Sequence, residues 1–311
     1  MTSILRKYVG EFGRSRALAD DDAEPLLDGL ITEADEELIA NVFIGWNAKG
    51  IDENEIYSIA KILRERCTKV NSRDTSVIDI VGTGGSKAKT FNVSTAAAFV
   101  VSGAGGVVAK HGNRAATSNT GSADVLSALG VEPAVDAATA EKCLNEIGIC
   151  FMFAPNFHRL SPTLGRVRRG LGFPTIFNCV GPLCNPASAQ HQIIGVWNKD
   201  LVPKMANALA RLGTRQSWIV HGTDGLDELS LNGPSFVAEV LDGNVREFKV
   251  TPADFGIAES SLAELRCDSA VASCAIIRKT FGSTSNATAA HSIVSMNAAA
   301  ALYISGGADD L

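Results

Sequence analysis

The chain has 311 residues, 46% of them hydrophobic and 20% charged, with a net charge of −6 at pH 7. That length supplies a large buried core, one big domain and a smaller one. The acidic balance argues against nucleic acid or an anionic membrane as partner, but leaves room for a small anion in a local basic pocket. The seven cysteines contain no CxxC pair and sit mostly in apolar or helical surroundings, so they read as reduced thiols rather than a zinc site. The opening "MTSILRKYVGEFGRSR" holds no apolar signal core, and no run is long enough to span a membrane. A cytoplasmic location is the expectation.

Residues 1–75 carry apolar positions at helical spacing and form the expected helical domain. Thr32, three residues before Asp35, and Asp52, three before Glu55, are expected helix N-caps. The broad apolar faces of this segment fit packing against the rest of the chain or a homodimer interface. From residue 77 the pattern changes. "VIDIV", "GGVVAK", "ICFMFA", "TIFNCVGP", "HQIIGVW" and "SWIVHG" read as short buried strands. Helices are expected between them, over Thr139–Ile147 and Lys204–Leu212. The fold class is therefore α/β: a small N-terminal helical domain, joined by part of 156–190, and a larger α/β domain over 76–311 with a mostly parallel central sheet. Ligands of such sheets bind beyond the carboxyl ends of the strands.

Two polar segments follow strands. In "DIVGTGGSKAKTFNVST", over residues 79–95, glycines let the backbone approach an anion, and Thr83, Ser86, Thr90, Asn92, Ser94 and Thr95 add side-chain donors. Lys87 occupies the place of the third glycine of a dinucleotide fingerprint, and the GK[ST] of a P-loop is absent. Alone, a glycine-rich turn is weak evidence, and a tight strand–helix connection is the alternative reading. The second segment, "AKHGNRAATSNTGSADVLSALG" over 109–130, gathers Lys110, His111, Asn113, Arg114, Thr117, Ser118 and Ser122. Three basic or ionisable side chains within five residues suit a polyphosphate. Ser122 and Asp124 begin an apolar helix, whose N-terminus favours anions.

These two segments resemble the anthranilate phosphoribosyltransferases of tryptophan biosynthesis. The resemblance runs on through "FAPNFH", "VRRGLGFPTIFNCVGPLCNPA", "HGTDGLDELSLNGPSFVAEV" and "NAAAALYISG". It implies transfer of a 5-phosphoribosyl group from phosphoribosyl pyrophosphate to the amine of anthranilate, with release of pyrophosphate. By that resemblance Gly82, Gly85, Ser86, Thr90, Asn92, Val93, Ser94, Thr95, Lys110, Asn113, Arg114, Ser118 and Ser122 hold the donor. Gly82, Asn113, His158, Arg168 and Pro182 surround the acceptor, and Arg168, Asn113 and His111 act in catalysis. Ser94 and the pair Asp227-Glu228 bind Mg²⁺, and a homodimer through the N-terminal helices is implied. His191, His221 and His291 read as structural.

Four positions depart from the family pattern: Ser86 where Asp is usual, Asn119 where Lys is usual, "HRLSP" in place of a His-Pro-Ala-Met run, and Pro174 in place of Arg. The chain also stops at "GGADDL", short of the family's usual last helical stretch. A changed donor or acceptor, a nucleoside phosphorylase of the same fold, or a non-catalytic nucleotide-binding relative remain as alternatives. Phosphorolysis fits poorly with the retained Asp227-Glu228 pair and Arg168.

Overall fold

The computed structural model describes residues 3–86, 88–115, 120–282 and 288–311. Four helices open the chain: α1 (Leu5–Gly13), α2 (Asp20–Thr32), α3 (Glu36–Lys49) and α4 (Glu53–Arg66). Asp52 caps α4 as expected, and Glu55 completes a reciprocal capping box. The cap of α3 is Asp35, whose carboxylate accepts the Leu38 N–H; Thr32 is instead the last residue of α2 and donates its hydroxyl to the Asp28 carbonyl. Asp35 wins because it stands one residue before the helix, where its side chain can reach the free amides. Glu55 also ties the helices together. Buried at 1% exposure, it accepts from Trp46 Nε1 at 2.8 Å and the Leu18 N–H at 2.9 Å, and pairs with Lys49 at 2.6 Å.

The remainder alternates strand and helix: β1 (Ile78–Gly82), α5 (Val93–Gly103), β2 (Val108–Gly112), α6 (Ser122–Leu129), α7 (Ala137–Ile147) and β3 (Ile149–Phe153). Three helices follow, α8 (Ala154–Phe157), α9 (Pro162–Gly170) and α10 (Ile176–Leu183), then β4 (His191–Gly195), α11 (Leu201–Arg211) and β5 (Gln216–Gly222). The chain closes with β6 (Ser235–Leu241), β7 (Asn244–Val250), α12 (Ala270–Gly282) and α13 (Ala289–Ile304). The strands form one sheet in the order β3-β2-β1-β4-β5-β6-β7. Pairs from β3 to β5 are parallel; β6 and β7 extend the sheet antiparallel.

Two elements differ from the sequence reading. "TIFNCVGP" forms α10, not a strand. Its apolar run is short enough to fit either, and Thr175 with Asn178 settles it by closing a capping box at the helix start. The β6–β7 hairpin turns at Asp242-Gly243, both at positive φ (47° and 81°). That is a tight turn an Asp-Gly pair readily adopts.

The period-2 alternation of the strands divides the core. Val81, Ile194, Ile219 and Ala238 face a cluster shared with α1 to α4, α9, α10 and α11. Ile80, Ile193, Val220 and Val237 face the other way, against α5, α12 and α13. The five parallel strands thus end along one edge, and the loops leaving β1, β2, β3 and β5 all converge there.

Candidate active site

A cavity of about 850 Å³ lies at that edge, between the strand ends and α9 and α10. Such a volume accommodates a small organic ligand. Its floor is set by glycine. β1 ends at Gly82, where a Cβ would stand 3.1 Å from Asp227 Oδ2. β4 ends at Gly195, where a Cβ would fall 1.6 Å from the Asp227 carbonyl oxygen, so only glycine lets the Asp227-Glu228 loop lie across the strand ends. The Gly84 N–H points at Asp227 Oδ2, 3.3 Å away.

Ser94, in the first turn of α5, faces this loop. Its backbone amide favours the charged form of the Glu228 carboxyl, and its hydroxyl accepts from Lys110 Nζ at 3.3 Å. Glu228 Oε2 is buried without a hydrogen-bond partner among the described residues. Burial, reinforced by Asp227 and opposed by Lys110, pushes the Glu228 pKa up to about 8. Burial also raises the Asp227 pKa, against the Asp227 and Gly84 amides.

Lys110 is 4% exposed on β2. Its ammonium also donates to the Ile80 carbonyl. Burial lowers its pKa, countered by Asp79 and Glu228. Asp79 is fully buried and accepts the His111 N–H at 3.1 Å and Asn185 Nδ2 at 2.7 Å. Burial lifts its pKa to about 6, against the pull of Lys110 and these two donors. His111 and His158 stand with ring centroids 5.0 Å apart. Burial is the main cause holding both neutral, with pKa values of about 3 and about 4.

After β2, residues 113–115 and 120–122 line the cavity. Asn113 receives the Ala123 N–H and the Ser122 hydroxyl on its carbonyl, at 3.3 and 3.4 Å. Asp124 Oδ2 accepts the N–H groups of Ala115 and Gly121, both at 3.0 Å, and Oδ1 pairs with Arg114 at 2.9 Å. Arg114, expected at the donor, makes this pair with its side chain 56% exposed and still borders the cavity. Ser118, together with Lys87, Thr117 and Asn119, lies outside the described residues.

The opposite wall is aromatic and cationic. Arg168 on α9 lies over the Phe177 ring, its guanidinium carbon 5.0 Å from the centroid. It donates from Nε to the Thr175 hydroxyl at 3.2 Å, and Asn178 in turn donates to the Thr83 carbonyl at 3.0 Å. Arg168 is thus linked through α10 to the glycine loop. Burial, aided by Arg169, lowers its pKa to about 10, so it remains a cation at neutral pH. Leu164, His158 and Pro182 line the same wall. Arg166 pairs with Glu36 at 2.8 Å on the surface, although it also borders the cavity.

The cavity therefore brings together Gly82, Ser86, Thr90, Asn92, Ser94, Lys110, His111, Asn113, Arg114 and Ser122 with His158, Arg168, Pro182, Asp227 and Glu228. Gly85, Val93 and Thr95 stand behind its wall. A Cβ at Gly85 would meet the Trp197 ring at 2.8 Å, and the Val93 and Thr95 side chains are buried in α5.

A family model described as a glycosyl transferase family α/β domain matches residues 74–311. An anthranilate phosphoribosyltransferase from Laribacter hongkongensis is 46% identical over 274 residues, which cover 88% of this chain and 80% of that protein. One from Chromohalobacter salexigens is 41% identical over 308 residues, covering 99% and 89%. The chain belongs to the anthranilate phosphoribosyltransferase family. Among solved structures, the family member from Thermus thermophilus superposes with a TM-score of 0.87 at 33% identity, covering 97% of this chain and 90% of that one. The enzyme from Saccharomyces cerevisiae, solved in complex with PRPP and Mg, gives 0.87 at 28% identity, covering 99% and 90%.

The departures from the family pattern occupy different surroundings. Ser86 donates its hydroxyl to the Gly225 carbonyl at 3.0 Å and accepts the Ala88 N–H at 3.1 Å. In "HRLSP", Ser161 caps α9 by accepting the Leu164 N–H at 3.1 Å, and Leu160 lines the cavity. Pro174 directly precedes the Thr175 cap of α10. Sequence reasoning missed Asp79, Asn178 and Asn185, which bridge the motifs from inside the core. A polar residue embedded in each apolar run was the available signal.

Proposed function

We propose that this chain transfers the 5-phosphoribosyl group of phosphoribosyl pyrophosphate to the amine of anthranilate, as a Mg²⁺-dependent pentosyltransferase of tryptophan biosynthesis. The carrying observation is a single cavity whose two walls differ in chemistry. One offers amides, hydroxyls and Lys110 beside two carboxylates; the other offers Arg168 beside apolar and aromatic surface. A polyphosphate suits the first wall and an aromatic carboxylate the second. The family assignment supports the same pairing.

The first wall also fits a cation. Asp227, Glu228 and Ser94 are hard oxygen donors, and Glu228 Oε2 has no hydrogen-bond partner among the described residues. Among the described residues there is no cluster of three or more His, Cys, Asp or Glu able to hold a metal alone. That suits Mg²⁺, which keeps waters and leans on substrate phosphates. When bound, it would neutralise charge building on the departing pyrophosphate.

This chain's residues then orient the reactants. The Arg168 fork holds the anthranilate carboxylate, and the Phe177 ring beneath it supports the guanidinium by a cation–π contact. Asn113 and the neutral His111 and His158 border the space between the walls, where hydrogen-bonding groups can direct the amine. The nitrogen forms its bond to the anomeric carbon as the bond to the pyrophosphate oxygen breaks. An aryl amine is already neutral at pH 7 and becomes strongly acidic only after that bond forms, so its proton leaves without a strong base. Catalysis rests on positioning and on charge stabilisation. Histidines held below their ordinary pKa agree with this, because they do not add positive charge beside a developing oxocarbenium ion.

The same reading takes residues 1–75, joined by part of 156–190, as a helical body closing on 76–311. It includes a homodimer through the N-terminal helices, supported by Ile4 and Ile44 at 44% and 50% exposure, and a cytoplasmic location. No helix among the described residues is long and apolar enough to cross a membrane. Incubating the purified protein with phosphoribosyl pyrophosphate, Mg²⁺ and anthranilate should extinguish anthranilate fluorescence. No loss across a metal titration overturns the proposal.

A further inference from the structure

Asn92 sits between β1 and α5 and lines the cavity, but its side-chain oxygen is not available there. Asn92 Oδ1 accepts the Ser273 hydroxyl at 3.0 Å and the Thr120 hydroxyl at 3.0 Å. An amide oxygen has two lone pairs, and both are taken. Ser273 is completely buried in the first turns of α12, and its Oγ also accepts the Asn92 backbone N–H at 3.0 Å. One hydroxyl therefore grips residue 92 twice, by its backbone donor and its side-chain acceptor. The two hydroxyls hold the Asn92 side chain by its oxygen, so that Nδ2 is the polar atom it can offer to the cavity it lines. The same helix reaches the second donor segment: Cys274 Sγ lies 3.3 Å from the Ala128 carbonyl and Arg278 donates to the Leu129 carbonyl at 3.1 Å, both at the end of α6. α12 thus braces both phosphate-facing segments from behind.

We propose that Ser273 is a positioning residue for the phosphoribosyl donor, acting through Asn92 by holding its amide N–H groups toward the donor's phosphate oxygens. The inference rests on the function proposed above. It needs no contact between Ser273 and substrate, and predicts an effect on the donor alone. A serine in that helix with only a packing role would disturb both substrates or neither.

The test is calorimetric titration of the full chain with Mg²⁺ and phosphoribosyl pyrophosphate, for wild type, Ser273→Ala, Asn92→Ala and the double variant, alongside steady-state kinetics. Loss of one aligned hydrogen bond should weaken donor binding about three- to tenfold in Ser273→Ala, with acceptor KM within about twofold of wild type. In the Asn92→Ala background the second substitution should add little to the loss of donor binding, because the side-chain amide through which Ser273 acts is gone and only its bond to the backbone N–H of residue 92 remains. Thermal melts of each variant separate this from loss of fold, and Ser273→Thr, which keeps the hydroxyl, should bind more tightly than Ser273→Ala. Equal donor binding by wild type and Ser273→Ala overturns the inference, as do effects that add in the double variant. A wild-type protein that binds no donor overturns the proposed function itself, and this inference with it.

Discussion

At neutral pH the Arg168 guanidinium stays charged, stacked over Phe177 and fixed by the Thr175 hydroxyl. A charge-assisted pair to a carboxylate contributes about 1.5–3 kcal/mol. Arg168→Ala should therefore raise the acceptor KM about 10- to 100-fold and leave the donor KM nearly unchanged; equal loss on both substrates would remove Arg168 from the acceptor wall. Ser86 presents a second residue-scale case. An aspartate there could not donate to the Gly225 carbonyl and would add a carboxylate close to Asp227. Ser86→Asp should lower the Tm without metal and shift half-saturation of activity to lower Mg²⁺; an unchanged metal response would show that the loop does not face the metal. The His111–His158 pair makes a pH prediction. Folded pKa values of about 3 and about 4 lie below the unfolded value near 6.5. Protons then bind the unfolded chain preferentially, so this stability is complete above pH 6.5 and is lost as pH falls toward 4. The slope is about 1.4 kcal/mol per pH unit for each histidine. Denaturant melts between pH 7 and 4.5 should show it, and a His111→Gln/His158→Gln variant should flatten it.

At the scale of elements, the site depends on strand ends that allow close backbone approach. Gly195 is the tightest, because the atom in its way is a backbone carbonyl and not a movable side chain. Gly195→Ala should cost about 3 kcal/mol of stability, the upper end for overpacking. It should also displace Asp227 and Glu228, so that Mg²⁺-dependent turnover falls more than the melting temperature explains. Normal metal dependence in a folded variant would refute that coupling. The parallel strands were readable because fully buried strands are short apolar runs bounded by turn residues. "TIFNCVGP" misleads for the same reason: a helix buried on nearly every side has no polar stripe to betray its period. β6 and β7 escaped attention although Asp242-Gly243 stands between two β-rich runs, a hairpin signal present in the chain.

For the whole molecule, the cavity is walled by segments from both cores, so ligand binding and global stability are coupled. Mg²⁺ with phosphoribosyl pyrophosphate at about one hundred times its Kd should stabilise the fold by about 2.7 kcal/mol, read as a concentration-dependent rise in Tm. Anthranilate alone, touching one wall, should do less. A donor that leaves the Tm unmoved at millimolar concentration would contradict the site. The amino-acid sequence by itself pointed to the α/β class and to two polar, donor-rich segments, because each segment is a local cluster of ligand-suited side chains just after an apolar run; Arg168 and the Asp227-Glu228 pair stood out only through the family resemblance. Only the tertiary structure decided which of those groups are free to act. It paired Arg114 with Asp124, set Asp79 against Asn185 across 106 residues, tied Asn178 to Thr83 across 95, and set Ser273 on Asn92 across 181. A buried polar group must find a partner, and chain topology, not sequence neighbourhood, determines which partner lies within reach.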